Sequence, residues 1–559
     1  MTRCPVVQRQ SCGSPTRGGT MRGPFRVCGV AAILAGVVGA CGGDGGGGTG
    51  PAVPTITSFT ATPASLAFGG GTVTLSWQVT GATSLSISPG VGAVTPATNG
   101  SKDVAVTTTT TFTLTATNTT GSATAPAAVT VATGITVNGL VKDFSGEPIS
   151  GAAVLVAGKS PVTSGSDGKF SVSNVSPPYD ITLILSTQKT AVVYKGLTRT
   201  DPTLLYLDFT GAAKTAVING TVPVAAGKVT AVLFVSGTVG GLDVADPTTG
   251  AYSMTVYWYG AAAAKTGQLY VLRWTPGAGP AFLPTSYDGY GNKAQTISAG
   301  GTFTQDFAPG ELNDPPEQSI GGTVTVPANY TLSDRELVFM FGSLPVFIAQ
   351  ETGTLSNTFT YNVPNVSGLQ LTFGVYAEAA GSSRVTSFFR TGISGGATNV
   401  SVPLETAPQL ALPVNNATGV DFATSFTWSQ GTGTGVNIFD VTPVSSSNPS
   451  FFVFTTTADA KIPDLSAQGM GLPASASYRW QVERYMPVAS TDAAAGSGFL
   501  PLVFYEAGDV GYTESEQFTF TSKAAAGASL QGTAAGPTVD AARAVGERVR
   551  ARRLRVPSH

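Results

Sequence analysis

The sequence has 559 residues, of which 11% are charged, and its formal net charge is −2. This length exceeds what a single hydrophobic core supports, so we expect about four or five domains. The small net charge gives no electrostatic reason to expect a nucleic-acid partner, whose phosphates require a basic stripe. The 70 glycines and 36 prolines, with abundant Thr, Ser and Val, are typical of short strands joined by tight turns rather than of helices.

The four cysteines, Cys4, Cys12, Cys28 and Cys41, all lie near the N-terminus. A disulfide scaffold would distribute its cysteines through the folded part of the chain. A zinc site needs thiols or imidazoles grouped in space, and the single histidine is the last residue, His559. We therefore expect no disulfide framework, no metal site and no cofactor.

Residues 1–40 have the pattern of a secretory signal peptide. Arg17, Arg22 and Arg26 precede an apolar run, Val27–Ala40, that ends in small residues. As a helix this run would be roughly 21 Å long, shorter than the ~30 Å hydrocarbon core of a bilayer. A signal segment is therefore favoured over a permanent transmembrane helix.

The run Val38-Gly39-Ala40-Cys41 resembles the bacterial lipobox. The resemblance implies that the Cys41 thiol receives a diacylglycerol and that Cys41 becomes the new N-terminus. The following Gly-rich segment, residues 41–53, would be a flexible tether. Gly42, rather than Asp, follows the cysteine, which by the same resemblance favours the outer membrane. We expect a lipid-anchored cell-envelope protein; the alternative is cleavage elsewhere, with Cys41 incidental.

The pattern of residues 54–133 predicts short strands in which apolar and polar residues alternate. In Val73–Val79 the apolar residues alternate with polar ones and share one face, as in one sheet of a sandwich. Together with Thr111–Asn118, this run resembles a bacterial immunoglobulin-like module. The resemblance places Trp77 in the position of the core tryptophan, without the flanking disulfide.

Residues 134–211 carry a second pattern. Gly146-Glu147-Pro148-Ile149-Ser150-Gly151 and Asp167-Gly168-Lys169-Phe170 resemble the carboxypeptidase-regulatory-like, transthyretin-like family. The Gly and Pro residues fall where hairpin turns require them. The resemblance implies a β-sandwich that carries no chemistry of its own.

Residues 212–312 and 313–405 repeat this pattern more weakly, and we predict two further sandwiches, possible relatives of the second. In each of the three segments an early glycine is followed by an aromatic residue: Gly139 and Phe170, Gly220 and Tyr252, Gly322 and Tyr361. The separations are 31 (139 to 170), 32 (220 to 252) and 39 (322 to 361) positions. The third segment therefore requires a longer loop.

Residues 406–522 resemble a fibronectin type III-like module through Ser425-Phe426-Thr427-Trp428-Ser429 and Ser477-Tyr478-Arg479-Trp480. Trp428 and Tyr478 would be core residues, as in related sandwiches, and residues 491–511 look like an inserted loop. The predicted fold is therefore all-β, a series of tandem β-sandwich modules. Without disulfides, its stability must come from cores around residues such as Trp77, Phe170, Trp428 and Trp480.

The C-terminal segment, residues 523–559, is rich in Ala and Gly and then in Arg. Two interpretations stay open. It could form a basic helix that touches anionic headgroups, or it could be a disordered soluble tail, which its few large apolar residues favour.

The candidate catalytic groups are few. A Ser/His/Asp or Cys/His system cannot be built with one terminal histidine, and no phosphate-binding Gly-rich motif is present. Asp243 and Asp246, and Asp314 with Glu317, could be paired carboxylates of a glycosidase. Each pair lies in turn-like sequence, which favours capping of backbone amides. A weak Ca²⁺ site built from such carboxylates has no supporting ligand pattern.

The aromatic run Tyr257, Trp258 and Tyr259 is the candidate ligand surface. In a strand, Tyr257 and Tyr259 face one side and Trp258 the other. Such residues stack on sugar rings and anchor protein interfaces. Packing in a core or between modules is the favoured alternative, because large aromatics are usually buried.

The sequence thus predicts a non-catalytic protein, monomeric and joined to the membrane through lipid at Cys41. Its modules would bind a protein or glycan ligand or act as a spacer. The alternative is an extracellular carbohydrate-active hydrolase that uses paired carboxylates.

Overall fold

The computed structural model describes residues 51–524, except 144–145, 207–211, 238, 279–282, 343, 445–447 and 497–507, and the two-residue strand Leu554–Arg555. Residues 1–50, which include the signal segment, Cys41 and most of the tether, lie outside the described residues. Most of the tail lies outside them as well. Strands dominate, and the described residues form one short α-helix and two 3₁₀ turns, Pro309–Glu311 and Ser466–Gln468. The prediction of an all-β protein of tandem sandwich units is confirmed.

Unit 1 (residues 51–133) is a two-sheet sandwich with a core of its own. Its strands are β1 (Thr55–Thr62), β2 (Ser65–Leu66), β3 (Gly71–Thr80), β4 (Ser84–Ser88), β5 (Gly92–Val94), β6 (Asn99–Val106), β7 (Thr110–Asn118) and β8 (Gly121–Val131). One sheet has the order β1-β3-β6 and the other β2-β8-β7-β4-β5. Trp77 lies between them, 2% exposed, and its indole N–H donates to Pro96 O at 3.2 Å. The core cluster around Trp77 contains residues of unit 1 alone.

Unit 2 (residues 134–206) contains β9 (Ile135–Lys142), β10 (Ala153–Val156), β11 (Val162–Thr163), β12 (Lys169–Val175), β13 (Tyr179–Leu185), β14 (Thr190–Leu197) and β15 (Thr203–Leu205). Unit 3 (residues 212–312) contains β16 (Lys214–Thr221), β17 (Val229–Ser236), β18 (Val239–Val244), β19 (Ala251–Trp258), β20 (Ala264–Pro276), β21 (Pro284–Ser298) and β22 (Thr302–Thr304). Unit 4 (residues 313–405) contains β23 (Glu317–Thr325), β24 (Tyr330–Phe341), β25 (Leu344–Thr352), β26 (Thr358–Pro364), β27 (Leu369–Ala379), β28 (Val385–Ile393) and β29 (Val400–Pro403).

Units 2, 3 and 4 repeat one strand arrangement. The first strand of each unit pairs antiparallel with a middle strand and parallel with the last strand. The resulting three-stranded sheets have the orders β12-β9-β15, β19-β16-β22 and β26-β23-β29. The repeat that the sequence suggested therefore corresponds to a recurring topology.

Steric contacts explain why a glycine recurs at this position in units 2, 3 and 4. Gly139, Gly220 and Gly322 each lie in the central strand of a three-stranded sheet. A Cβ atom at any of them would overlap a backbone carbonyl oxygen in or next to the last strand of the unit, that of Pro202, Gln305 or Val400. Only glycine permits this close approach of two backbones.

The aromatic partners of these glycines lie directly across the sheet. Phe170 is opposite Gly139, and Tyr252 is opposite Gly220. In unit 4, Phe359 rather than the predicted Tyr361 is opposite Gly322. The sequence comparison chose the wrong aromatic because both residues point to the same side of β26, and both are buried.

Unit 5 (residues 406–524) contains β30 (Gln409–Leu412), β31 (Ala417–Val420), β32 (Phe426–Ser429), β33 (Val436–Pro443), β34 (Ser450–Thr455), β35 (Asp459–Ala460), β36 (Ser477–Met486), the helix α1 (Thr491–Ala494), β37 (Val510–Glu514) and β38 (Phe518–Ser522). A final strand, β39 (Leu554–Arg555), follows in the C-terminal segment. Trp428, Tyr478 and Trp480 are core residues, as predicted.

One large sheet runs through three units. Its fifteen strands include the path β11-β10-β13-β14-β34-β33-β36-β37-β28-β27-β24-β25-β39. It passes from unit 2 into unit 5 through the parallel pair β14 and β34, and from unit 5 into unit 4 through the antiparallel pair β37 and β28. The chain therefore folds back, so that unit 5 lies between units 2 and 4.

The cores of these units are also shared. One cluster combines residues of units 2 and 5, and a second combines units 3 and 4. Units 2 to 5 thus form a single body, whereas unit 1 carries its own core. The sequence predicted successive modules and did not indicate this joining.

Candidate functional site

The aromatic run of unit 3 is divided between the core and the surface. Trp258, the last residue of β19, is 2% exposed in the core, and its indole N–H donates to Ala262 O at 2.9 Å. Tyr257 is 58% exposed on the opposite face of the strand. Tyr259 follows the end of β19 and is half-buried. The three rings do not form one platform, and Tyr257 is the member that solvent reaches most freely.

The candidate carboxylates of unit 3 are engaged by backbone amides. Asp246 Oδ1 accepts from Thr248 N at 2.9 Å and from Thr249 N at 2.7 Å, and these bonds hold the pKa of Asp246 below its usual range. Asp243 Oδ2 accepts from Ser253 N at 2.7 Å. The turn prediction is correct for Asp246 and wrong for Asp243, which lies in β18.

The glycines next to Asp243 explain this error. Gly240 and Gly241 suggest a turn in the sequence, but they allow β18 to approach neighbouring side chains closely. A Cβ atom on Gly240 would overlap the side chain of Leu344 in unit 4. Close packing of two units, rather than a turn, thus accounts for these glycines.

The second candidate pair is also not assembled as a catalytic site. Glu317 lies at the start of β23, not in a turn, and its Oε2 accepts from Asn362 Nδ2 at 2.6 Å. Its other oxygen accepts from Tyr287 N at 2.5 Å. Asp314 is exposed in the segment before β23. The Glu317 carboxylate therefore links units 3 and 4.

Three carboxyl groups that the sequence did not single out lie close together in unit 5. Glu483 on β36 is directly opposite Glu514 on β37, and Asp440 on β33 is opposite Gln481, two residues from Glu483. The period of two places Asp440, Gln481, Glu483 and Glu514 on one face of the sheet. Asp440 is 1% exposed and Glu483 is 3% exposed.

Burial decides the charge state of this cluster. Burial and the neighbouring Glu514 raise the pKa of Glu483 to about 8, against the lowering effect of the hydrogen bond from Tyr485. The Tyr485 hydroxyl donates to Glu483 Oε2 at 2.8 Å. Burial, together with Glu483 and Glu514, raises the pKa of Asp440 well above its usual range. Neither Asp440 oxygen has a hydrogen-bond partner. Burial and the two neighbouring carboxyl groups therefore favour the neutral form of the Asp440 side chain.

The junction between units 2 and 5 is dense and polar at one end. The Asp492 carboxylate of α1 accepts from Thr198 N at 2.8 Å, from the Thr198 hydroxyl and from Arg199 N at 3.1 Å. Arg199 Nη1 donates to Asp492 O at 2.6 Å. Burial opposes ionisation of Asp492, but these hydrogen bonds hold its pKa below the usual value.

The apolar end of the same junction is a ring stack. Tyr194 on β14 and Phe454 on β34 are paired across the parallel strands, with ring centroids 4.4 Å apart and planes 6° from parallel. The Tyr194 hydroxyl accepts from Leu205 N at 3.0 Å. The stack thus connects units 2 and 5, and the hydrogen bond from Leu205 connects it to β15, the last strand of unit 2.

A cavity of about 270 Å³ opens at one end of unit 4. It is lined by Asn365, Val366, Gln370, Gly392 and Ser394, among others, and by no acidic side chain. In the described part of the chain, no group of three or more His, Cys, Asp or Glu side chains is arranged to hold a metal ion. No helix among those residues has the length and apolar composition needed to cross a bilayer.

The fold and these sites define an all-β protein assembled from tandem sandwich units. No protein-family profile and no curated protein sequence matches the chain. Solved structures align with it at low similarity. The TIE protein of Bacillus anthracis is 11% identical with a TM-score of 0.21, over 64% of this chain and 75% of that chain.

Two further solved structures are multi-domain assemblies. Domains A168–A170 of titin align at 12% identity and a TM-score of 0.14, over 58% of this chain and 93% of theirs. Immunoglobulin domains 1–5 of Sidekick-1 align at 9% identity and a TM-score of 0.14, over 84% of this chain and 99% of theirs. At such TM-scores the class assignment rests on the strand topology of this chain itself.

Proposed function

We propose that this protein is a non-catalytic, lipid-anchored component of the bacterial cell envelope that displays a rigid body of sandwich units. The observation that carries the proposal is the continuous sheet through units 2, 5 and 4. Shared sheets and cores favour a body of fixed shape, which suits binding of a protein or glycan, or fixed spacing. Unit 1, with its separate core, would be the stalk between this body and the lipid at Cys41.

The anchor rests on the sequence pattern Val38-Gly39-Ala40-Cys41 and the glycine tether after it. Metabolic labelling with a fatty-acid probe tests it in the full chain. We expect labelling of the wild type and of Cys28→Ser, a matched control within the leader, and none of Cys41→Ser. Labelling that persists in Cys41→Ser would show that the lipid assignment is wrong. Fractionation of the labelled cells would test the outer-membrane location.

The finer module assignments belong to the same proposal. Unit 1 would be an immunoglobulin-like module, which its core Trp77 favours. Unit 2 would be carboxypeptidase-regulatory-like and units 3 and 4 its relatives, which the recurring topology around Gly139, Gly220 and Gly322 favours. Unit 5 would be fibronectin type III-like, with Trp428 in its core. None of these assignments adds catalytic residues.

A binding role can be separated from a spacer role by experiment. The full chain with Cys41→Ser, free of the lipid, is applied to glycan arrays and used to capture proteins from the envelope. A ligand whose binding is lost in Tyr257→Ala would place the contact at the exposed ring of unit 3. If no ligand is found on any array or in any capture, the spacer version is favoured.

The hydrolase alternative receives no support from the carboxyl groups described above. Asp243, Asp246 and Glu317 accept hydrogen bonds from backbone or amide groups, and Glu483 and Asp440 are buried in the sheet. A glycosidase needs two carboxyl groups on either side of a bound sugar. Hydrolysis of a polysaccharide by the wild type that disappears in a single Asp→Asn or Glu→Gln variant would overturn the non-catalytic proposal.

A further inference from the structure

The edge of the large sheet at β25 has an unusual composition for an edge strand. Val346, Phe347, Ile348 and Ala349 are consecutive, apolar and buried. Edge strands usually carry charged residues or Pro that prevent pairing with another chain, and a long apolar edge is a site for strand addition. We therefore expect another segment to occupy or cover this edge.

A second sheet edge faces the first one. β18 is the edge strand of the four-stranded sheet of unit 3. Gly240 of β18 lies against Leu344 at the start of β25. The edges of two sheets from different units thus flank one slot.

The two-residue strand β39 lies in this slot. Leu554 and Arg555 form β39, which pairs parallel to β25 with Leu554 opposite Val346 and Arg555 opposite Phe347. β39 also lies against β18. A backbone pairing at this position is the mode by which an extended peptide extends a sheet.

The sequence around β39 suits an edge strand. Residues 548–556 read Arg-Val-Arg-Ala-Arg-Arg-Leu-Arg-Val, so that arginines alternate with apolar residues in two short runs. The phase changes between Arg552 and Arg553, and within Arg553–Val556 the period of two is typical of a strand with one apolar and one charged face.

The length of the chain allows its own C-terminus to be the occupant. Between Ser522 and Leu554 lie 31 residues (523 to 553), which can span up to about 100 Å when extended.

We propose that the slot between β18 and β25 is a strand-acceptor site and that the arginine-rich C-terminus of the same chain fills it. The strand completes the large sheet, joins unit 3 to unit 4 at their edges and keeps the apolar β25 from pairing with a second copy. The proposal concerns units 3 and 4 and the tail, and it does not depend on the lipid anchor or on a ligand.

Crosslinking tests both the register and the source of the strand. Cys4, Cys12, Cys28 and Cys41 are replaced by serine in the full chain, which removes every native thiol. Val346→Cys with Leu554→Cys is then treated with a short thiol crosslinker. The matched control is Thr352→Cys with Leu554→Cys, six positions along β25 and so about 20 Å out of register.

We expect the in-register pair to crosslink within one chain at least tenfold more than the control. Crosslinked dimers as the main product would overturn the proposal in favour of a second copy as the donor. Equal crosslinking in both pairs, or none in either, would overturn it as well.

A second variant avoids any change in the core. Leu554→Pro removes a backbone N–H from β39, and Ala534→Pro makes the same change elsewhere in the tail. By hydrogen exchange, we expect the amides within Val346–Ala349 that point toward β39 to exchange at least tenfold faster in Leu554→Pro and at the wild-type rate in Ala534→Pro. Unchanged exchange of β25 in Leu554→Pro would contradict the proposal.

Discussion

Glu483 and Glu514 lie directly opposite each other on the neighbouring antiparallel strands β36 and β37. Like charges in this position destabilise a sheet, because the Cβ atoms of such pairs are about 5 Å apart. Asp440 lies on the same face and its two oxygens have no hydrogen-bond partner. The raised pKa values of Glu483 and Asp440 favour protonated carboxyl groups in this cluster, so we expect the stability of unit 5 to depend on pH.

The first prediction concerns this pH dependence. Burial and Glu514 raise the pKa of Glu483 to about 8 in the folded protein, above the value of about 4.3 expected for an unfolded chain. The folded state therefore binds the proton more tightly, and stability should fall as pH rises between about 4.5 and about 8. We expect a slope on the order of 1 kcal/mol per pH unit from this group. Glu483→Gln should flatten the slope and be more stable than the wild type at pH 8.

The matched control for this prediction is Glu378→Gln, which changes an exposed glutamate of β27. Its urea midpoints at pH 5, 6, 7 and 8 should follow those of the wild type. A wild-type protein whose midpoint is constant from pH 5 to 8, or rises over that range, would contradict the assignment of a protonated Glu483.

The second prediction concerns the coupling of units 2 and 5. Leu183 of β13 is fully buried in the core cluster that the two units share. Leu183→Ala should destabilise this body by about 2–5 kcal/mol, since it leaves a cavity. Because β14 and β34 are paired, the amides of Phe451–Thr455 in unit 5 should also exchange faster with solvent.

Leu114→Ala is the control, since Leu114 is equally buried but belongs to the separate core of unit 1. It should leave the exchange of Phe451–Thr455 unchanged. If Leu183→Ala also leaves β34 at its wild-type exchange rate, the two units do not unfold together.

The third prediction concerns the recurring glycine. In Gly322→Ala the new Cβ would overlap the carbonyl oxygen of Val400, so that β23 and β29 must separate. We expect a loss of roughly 1–3 kcal/mol, the usual cost of overpacking. Gly310→Ala is the control, because no atom lies near a Cβ at that position and its backbone is not in the left-handed region. Equal urea midpoints for the two variants would show that the close approach is unimportant.

The fourth prediction separates the aromatic residues of unit 3. Trp258→Ala should destabilise the protein by about 3–5 kcal/mol, because it empties a buried site. Tyr257→Ala should change stability by no more than about 0.5 kcal/mol, since its ring is largely exposed. Thermal unfolding measures both. A large destabilisation by Tyr257→Ala would mean that its ring packs against another part of the protein.

The local patterns of the sequence predicted much of the fold. Alternation in Val73–Val79 indicated a strand with Trp77 inside, and both features are found. The tryptophans of unit 5 and Phe170 of unit 2 are buried as expected. These predictions were possible because the period of two depends on a single strand and its own core.

The joining of the units could not be predicted in the same way. In β36, alternation places Trp480 and Val482 toward one core and Gln481, Glu483 and Tyr485 on the other face. Polar residues on that face suggest contact with solvent, yet unit 2 packs against part of it. The strands of unit 2 that cover this face are far away in sequence. Neither segment contains a local pattern that indicates the contact between units 2 and 5. The carboxyl cluster was missed for the same reason.

The pairing of β14 with β34 also affects the order of events during biogenesis. Thr190 and Ser450, the first paired residues, are 260 positions apart (450 minus 190). At about 5–20 residues per second, ribosomal synthesis needs on the order of tens of seconds to bridge that interval. Until then the newly made edge of β14 has no partner, and a holding chaperone or a second nascent chain could bind it. We therefore expect unit 2 to be the aggregation-prone segment of an interrupted or truncated chain, even though it is made early.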